Sequence, residues 1–171
     1  GVGGRRDGQR VQAAPAQDEV VASGERIVLD ANILIRAVLG VRVKRIVAAH
    51  AVRAEFFAPD VAYPDAERYL PEILAKHNRE DEIDQALAFL EELRAVVLPV
   101  PEEIYEHQRV DALSRIESRD PDDWPVLAAA LVIDCPIWTE DQDFFGTGVP
   151  TWTTDRVELY LREKHPGSEV D

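Results

Sequence analysis

The side chains able to do chemistry in this chain are carboxylates, and they fall into three groups. Asp30 ends an apolar run in VLDANILI, Asp120, Asp122 and Asp123 crowd RDPDDWPVLAAAL, and Asp141 and Asp143 sit in WTEDQDFFG. A carboxylate in a setting as apolar as that of Asp30 needs a partner or a cation, because burying it alone is costly. A helix N-cap at the following residues explains Asp30 equally well. One cap accounts for one acid of the second group, not three, and the helix dipole favours clustered acids only modestly. The third group reads either as a solvated turn or, given Trp138, Phe144 and Phe145, as a turn packed tightly on the domain. If the three groups converge, their mutual repulsion calls for a cation, and oxygen-only ligands select Mg²⁺ or Mn²⁺ over zinc. No histidine or cysteine pair competes: His50, His77, His107 and His165 are scattered and read as surface residues, and Cys135 is alone.

The elements that position these acids follow from apolar spacing. Ile27-Val28-Leu29 reads as a buried strand, and 32–39 and 41–54 as helices separated by Gly40. Phe56-Phe57-Ala58 is a second strand, closed by Pro59-Asp60. Residues 61–77 read as a helix with Val61, Tyr69, Leu70, Ile73 and Leu74 as core contacts. The clearest helix is EDEIDQALAFLEELRAV, where Ile83, Leu87, Leu90 and Leu93 recur at helical spacing. A β-type run at 96–100 precedes a helix over 102–117, a polar loop over 119–123 and an apolar helix over 126–133. Strands at 136–139 and 149–153 lead to a last helix opening at Asp155, with Glu158 as a capping-box signal. Alternating strands and helices predict an α/β domain with a mainly parallel sheet and helices on both faces. In such sheets the site lies beyond the carboxyl ends of the strands, where most of these acids fall.

At 171 residues the chain fits one domain, expected over 26–165, with 1–25 a flexible tail and 166–171 a short C-terminal tail. No apolar stretch is long enough to span a membrane, and the N-terminal segment lacks the apolar run of a secretory signal. A single cysteine excludes a disulfide framework, so a cytoplasmic setting is expected. Nineteen Lys and Arg against 33 Asp and Glu give a net charge of -14, the reverse of what bulk electrostatic binding to nucleic acid requires. One window departs from that balance. Between Asp30 and Glu55 there is no acid, yet it holds Arg36, Arg42, Lys44, Arg45 and Arg53. A helix from Val41 places Arg42, Arg45 and Arg53 on one side, as a phosphate-backbone track, a partner surface or a solvated face.

VLDANILIRAVL, RDPDDWPVLAAAL and IWTEDQDF, in that order, resemble the PIN-domain ribonucleases, and in particular the bacterial branch that includes toxins of toxin–antitoxin pairs. The resemblance spans about residues 26–162 and implies a single PIN-like domain with four acids lining a divalent-metal site. Asp30 matches the first acid, with Asn32 completing an Asp-x-Asn motif. Asp123 matches the third and Asp141 the fourth, with Thr139 ahead of it and Asp143 as a further acid. The second falls in PDVAYPDAERYLPEIL, where the family shows Glu. Asp65 occupies the expected position and Glu67 is the alternative; two residues apart on a helix, only one of them can face the pocket.

The resemblance implies an endoribonuclease that uses Mg²⁺ or Mn²⁺ and leaves 5′-phosphate and 3′-hydroxyl ends. RNA would be its substrate and an antitoxin protein its partner, with a homodimer left open. Two other classes compete. A non-catalytic PIN module would bind RNA or protein without cutting, and a phosphotransfer receiver would also place acids at strand ends. The receiver requires a Lys after a late strand, and WTEDQDFFGTG supplies none.

Overall fold

The computed structural model describes residues 24–116 and 118–162. Residues 1–23 of the expected N-terminal tail, all of 166–171 and His165 lie outside the described residues. Short runs rich in β-branched and aromatic residues form five strands: β1 (Arg26–Leu29), β2 (Glu55–Pro59), β3 (Val97–Val100), β4 (Ile137–Trp138) and β5 (Thr151–Trp152). They make one sheet in the order β3-β2-β1-β4-β5, and every neighbouring pair is parallel.

Side chains alternate across β1 and so assign the two faces. Ile27 and Leu29 join one core with helices α1 (Ala31–Leu39), α2 (Arg42–His50), α3 (Ala62–Lys76), α4 (Ile83–Leu93) and the short α8 (Val157–Leu161). Val28 faces the other core, with α5 (Glu102–Tyr105), α6 (Arg109–Ile116) and α7 (Trp124–Ile133). Helices therefore cover both faces. Helix α7 is apolar almost all round because it is itself buried over Pro125–Ala130, and β4, which follows it, is buried on both sides.

Several elements differ from the sequence expectation. Helix α2 stops at His50 instead of Ala54: Ala54 must be buried to enter β2, so the chain turns through exposed Ala51, Val52 and Arg53. The helix expected over 102–117 is broken at Glu106–Gln108, a tighter turn. The first piece is pinned to the end of β2, where Asp60 accepts both the Glu102 N–H (3.0 Å) and the Tyr105 hydroxyl (2.7 Å). No capping box opens α8, which begins at Val157 without a side-chain cap. Its two acids are engaged elsewhere, Asp155 with Arg42 at 2.6 Å and Glu158 with His50 at 2.9 Å. His50 is thus a half-buried contact between α2 and α8 and not a surface residue, whereas His77 and His107 are exposed. Two expected core contacts of α3, Val61 and Tyr69, are 36% and 43% exposed. The buried stripe of α3 runs through Ala62, Tyr63, Ala66, Leu70 and Leu74, which turns its neighbours Val61 and Tyr69 toward solvent.

Candidate metal centre

From β1 the chain proceeds outward to β2 and β3, and later returns to lay β4 on the other side of β1. The crevice beyond the carboxyl ends of β1 and β4 is therefore the switch point at which doubly wound sheets bind ligands. Asp30 leaves β1 there and caps α1, its Oδ1 accepting the Ile33 N–H at 3.0 Å. Thr139 leaves β4 there, and its hydroxyl donates to the other oxygen of Asp30 while accepting the Asp141 N–H at 2.9 Å. The two readings of Asp30, helix cap and cleft acid, coincide in one side chain.

Asp30, Asp65, Asp120, Asp122, Asp123 and Asp141 line one cleft of about 570 Å³. Oxygens of Asp123, Asp141 and Asp143 lie within 4.8 Å of one another. Asp65, on α3, lines the cleft and Glu67 does not; Glu67 is exposed. Not every acid of the region is free. Asp120 caps the turn Pro121–Asp123 by accepting the Asp122 N–H at 3.0 Å, and Asp141 accepts the Asp143 N–H at 2.9 Å. Asp123 stands at the start of α7 without capping it, and its Oδ2 is buried with no hydrogen-bond partner.

The electrostatics follow from this crowding. Burial pushes the Asp30 carboxyl from 3.8 up to about 6, opposed by its bonds from Thr139 and Ile33 and reinforced by the charges of Asp141 and Glu140. Asp123 goes further, up to about 7, through burial first and then the charges of Asp120, Asp141, Asp30 and Asp143. A buried, unpartnered carboxylate oxygen amid like charges is what a hard cation relieves. The donors of Asp123, Asp141 and Asp143 are all carboxylate oxygens, a set suited to Mg²⁺ or Mn²⁺.

The acid-bearing turn after β4 has no sheet ladder of its own and is gripped by two arginines. Arg119 donates from one nitrogen to the carbonyls of Asp143 (2.7 Å) and Phe145, and Arg115 donates to the carbonyl of Thr147 at 2.7 Å. Gly146 and Gly148 turn this loop at φ +82 and +93. The positive φ is what requires glycine at 148, and a Cβ there, 2.6 Å from the Arg115 guanidinium, would also push that flexible side chain aside. Because Arg119 adjoins Asp120, the grip also ties the segment bearing Asp123 to the one bearing Asp143.

The basic window is arranged differently from the expected track. Arg53 lies in the turn after α2, off the helix; Arg42 is paired with Asp155; Lys44 stands over the Phe89 ring at 4.5 Å. Arg36 is the window residue that lines a hollow with a cleft acid, a space of about 410 Å³ shared with Asn32, Glu140 and Asp141. Sequence reasoning missed Arg68, the one cationic side chain among the described residues lining the cleft itself. Its signal was its place one turn beyond Asp65 on the same helix.

Comparison with known proteins agrees with this architecture. No curated protein matches the sequence. In fold the chain is similar to VapBC2 from Rickettsia felis, solved bound to a DNA fragment from its promoter, with 9% identity and a TM-score of 0.58 over 75% of this chain and 98% of that one. A toxin–antitoxin complex from Klebsiella pneumoniae aligns over 75% of this chain and 97% of that one, with 17% identity and a TM-score of 0.49. The sequence pattern of the PIN domain covers residues 28–162, most of the described chain, and the chain belongs to the PIN domain family.

Proposed function

We propose that the protein is a divalent-metal-dependent endoribonuclease, the toxin of a toxin–antitoxin pair. The observation that carries this reading is the Asp123 carboxyl, which has one buried, unpartnered oxygen and offers an oxygen within 4.8 Å of those of Asp141 and Asp143. Asp123, Asp141 and Asp143 would hold Mg²⁺ or Mn²⁺, with Asp30 and Asp65 completing the acid lining. When bound, a divalent ion neutralises phosphodiester charge and acidifies water for attack at phosphorus.

The chain's own residues supply the rest. Asp30, held by the Ile33 N–H and the Thr139 hydroxyl, keeps a fixed carboxylate orientation and orients attacking water. Thr139 couples that orientation to the Asp141 backbone. Arg68 and Arg36, beside the acids, offset phosphate charge that a chain of net charge -14 otherwise repels. The fold shared with VapBC2 suits a toxin role, and an antitoxin protein is the partner proposed.

The test is cleavage of single-stranded RNA by the wild type and by Asp30→Asn, with Mn²⁺ and with excess chelator. Cutting that needs the ion and Asp30 is the expected result. Undiminished cutting in chelator removes the metal mechanism.

A further inference from the structure

The acidic cleft has one wall of different chemistry. Val61, the residue that precedes α3, and Asp65 and Tyr69 on it follow one another at four-residue spacing and all line the cleft, together with Arg68. Val61 and Tyr69 are exposed, off the buried stripe of Ala62, Tyr63, Ala66, Leu70 and Leu74. The Arg68 guanidinium lies 4.7 Å from the centre of the Tyr69 ring, donates to the Tyr69 hydroxyl at 3.2 Å and stands 3.6 Å from Asp65. A cation is thus braced on an aromatic ring at the rim of an acid site, and its side chain remains 62% exposed.

We propose that Arg68 and Tyr69 form a subsite for one unpaired nucleotide beside the bond that is cut, with Arg68 taking a backbone phosphate and Tyr69 the base. This inference rests on the nuclease reading above. An aromatic ring accepts a base only when that base is out of its duplex, so the subsite selects single strands. Arg68 supplies a point contact for phosphate where the surrounding side chains are acids. The Tyr69 ring, lining the cleft with Val61, offers a stacking contact that a base makes and an acidic peptide does not. Asp65 shares Arg68 with this subsite, and the pair, 3.6 Å apart and exposed, leaves the guanidinium open to a phosphate.

The test is binding of a short labelled single-stranded RNA, read by fluorescence anisotropy in Ca²⁺, for the wild type, Tyr69→Ala, Tyr69→Phe and Arg68→Gln. Tyr69→Ala is expected to bind about tenfold more weakly, with Tyr69→Phe close to wild type. An oligonucleotide lacking the stacked base is expected to bind Tyr69→Ala and wild type alike. Arg68→Gln is expected to flatten the salt dependence by about one phosphate contact. Wild-type affinity in both Tyr69→Ala and Arg68→Gln overturns the subsite. A loss confined to a poly-glutamate probe, with RNA binding intact, overturns it in favour of a protein partner. A wild type that neither binds nor cuts RNA overturns the nuclease reading itself, and the subsite with it.

Discussion

Replacing Asp30 by Asn is expected to stabilise the metal-free protein at neutral pH. Burial raises this carboxyl from 3.8 to about 6, and a shift of about two units corresponds to about 3 kcal/mol against the charged form. The sign follows from linkage. The native state holds the proton more tightly than the unfolded chain, so stability is fully present below the unfolded value and is lost as pH rises through the folded one. Asn keeps an oxygen for the Ile33 N–H and is itself a good N-cap. The Thr139 hydroxyl loses its carboxylate acceptor, at about 1 kcal/mol. The balance is a gain of about 2 kcal/mol above pH ~7, shrinking to a small loss below pH ~4. Urea unfolding of both proteins across that range, in chelator, measures the difference directly. A variant less stable than wild type at neutral pH, or a gap independent of pH, refutes the account.

Metal uptake is expected to release protons, because Asp123, pushed up to about 7, must be ionised to coordinate, and the charge of the ion also favours ionised Asp30, pushed up to about 6. Affinity for Mn²⁺ therefore climbs as pH rises through that interval, and calorimetry in two buffers of different ionisation heat reads the protons; identical heats count against it. Thr139→Val removes the hydroxyl joining Asp30 to the Asp141 backbone, at about 1–2 kcal/mol in urea unfolding, and an unaltered midpoint denies that link. Gly148→Ala is expected to cost about 1–3 kcal/mol, more than Gly146→Ala, since its Cβ meets Arg115 at 2.6 Å against 3.5 Å to Arg119 at Gly146. Equal melting temperatures for the two variants rule out a tight grip by Arg115.

The sheet and the two helical layers are legible in the sequence because β1 is a short unbroken apolar run and α4 carries a clear helical period, and the acids are legible because they follow strands. Helix ends are not, since they depend on distant partners. Glu158 sits where a capping box places an acid, yet it pairs with His50 across the α2–α8 contact. Tyr69 reads as a core residue because an aromatic next to Leu70 fits a helical stripe; only the phase set by Ala62, Ala66 and Leu70 separates them. Among the acids, sequence does not distinguish Asp60, fully used by Glu102 and Tyr105, from Asp123, whose Oδ2 has no partner.

The arginine grip on the turn after β4 bears on how this surface tolerates sequence drift. Arg115 and Arg119 hold main-chain carbonyls, which every residue supplies. Gln142 and the 43% exposed Phe145 can therefore change identity while Asp141 and Asp143 keep their places. The constraint instead falls on the two arginines and on Gly146 and Gly148, which lie among residues with no acidic function. Substitution patterns across relatives of this chain should thus show variable positions interleaved with fixed ones inside a single short loop.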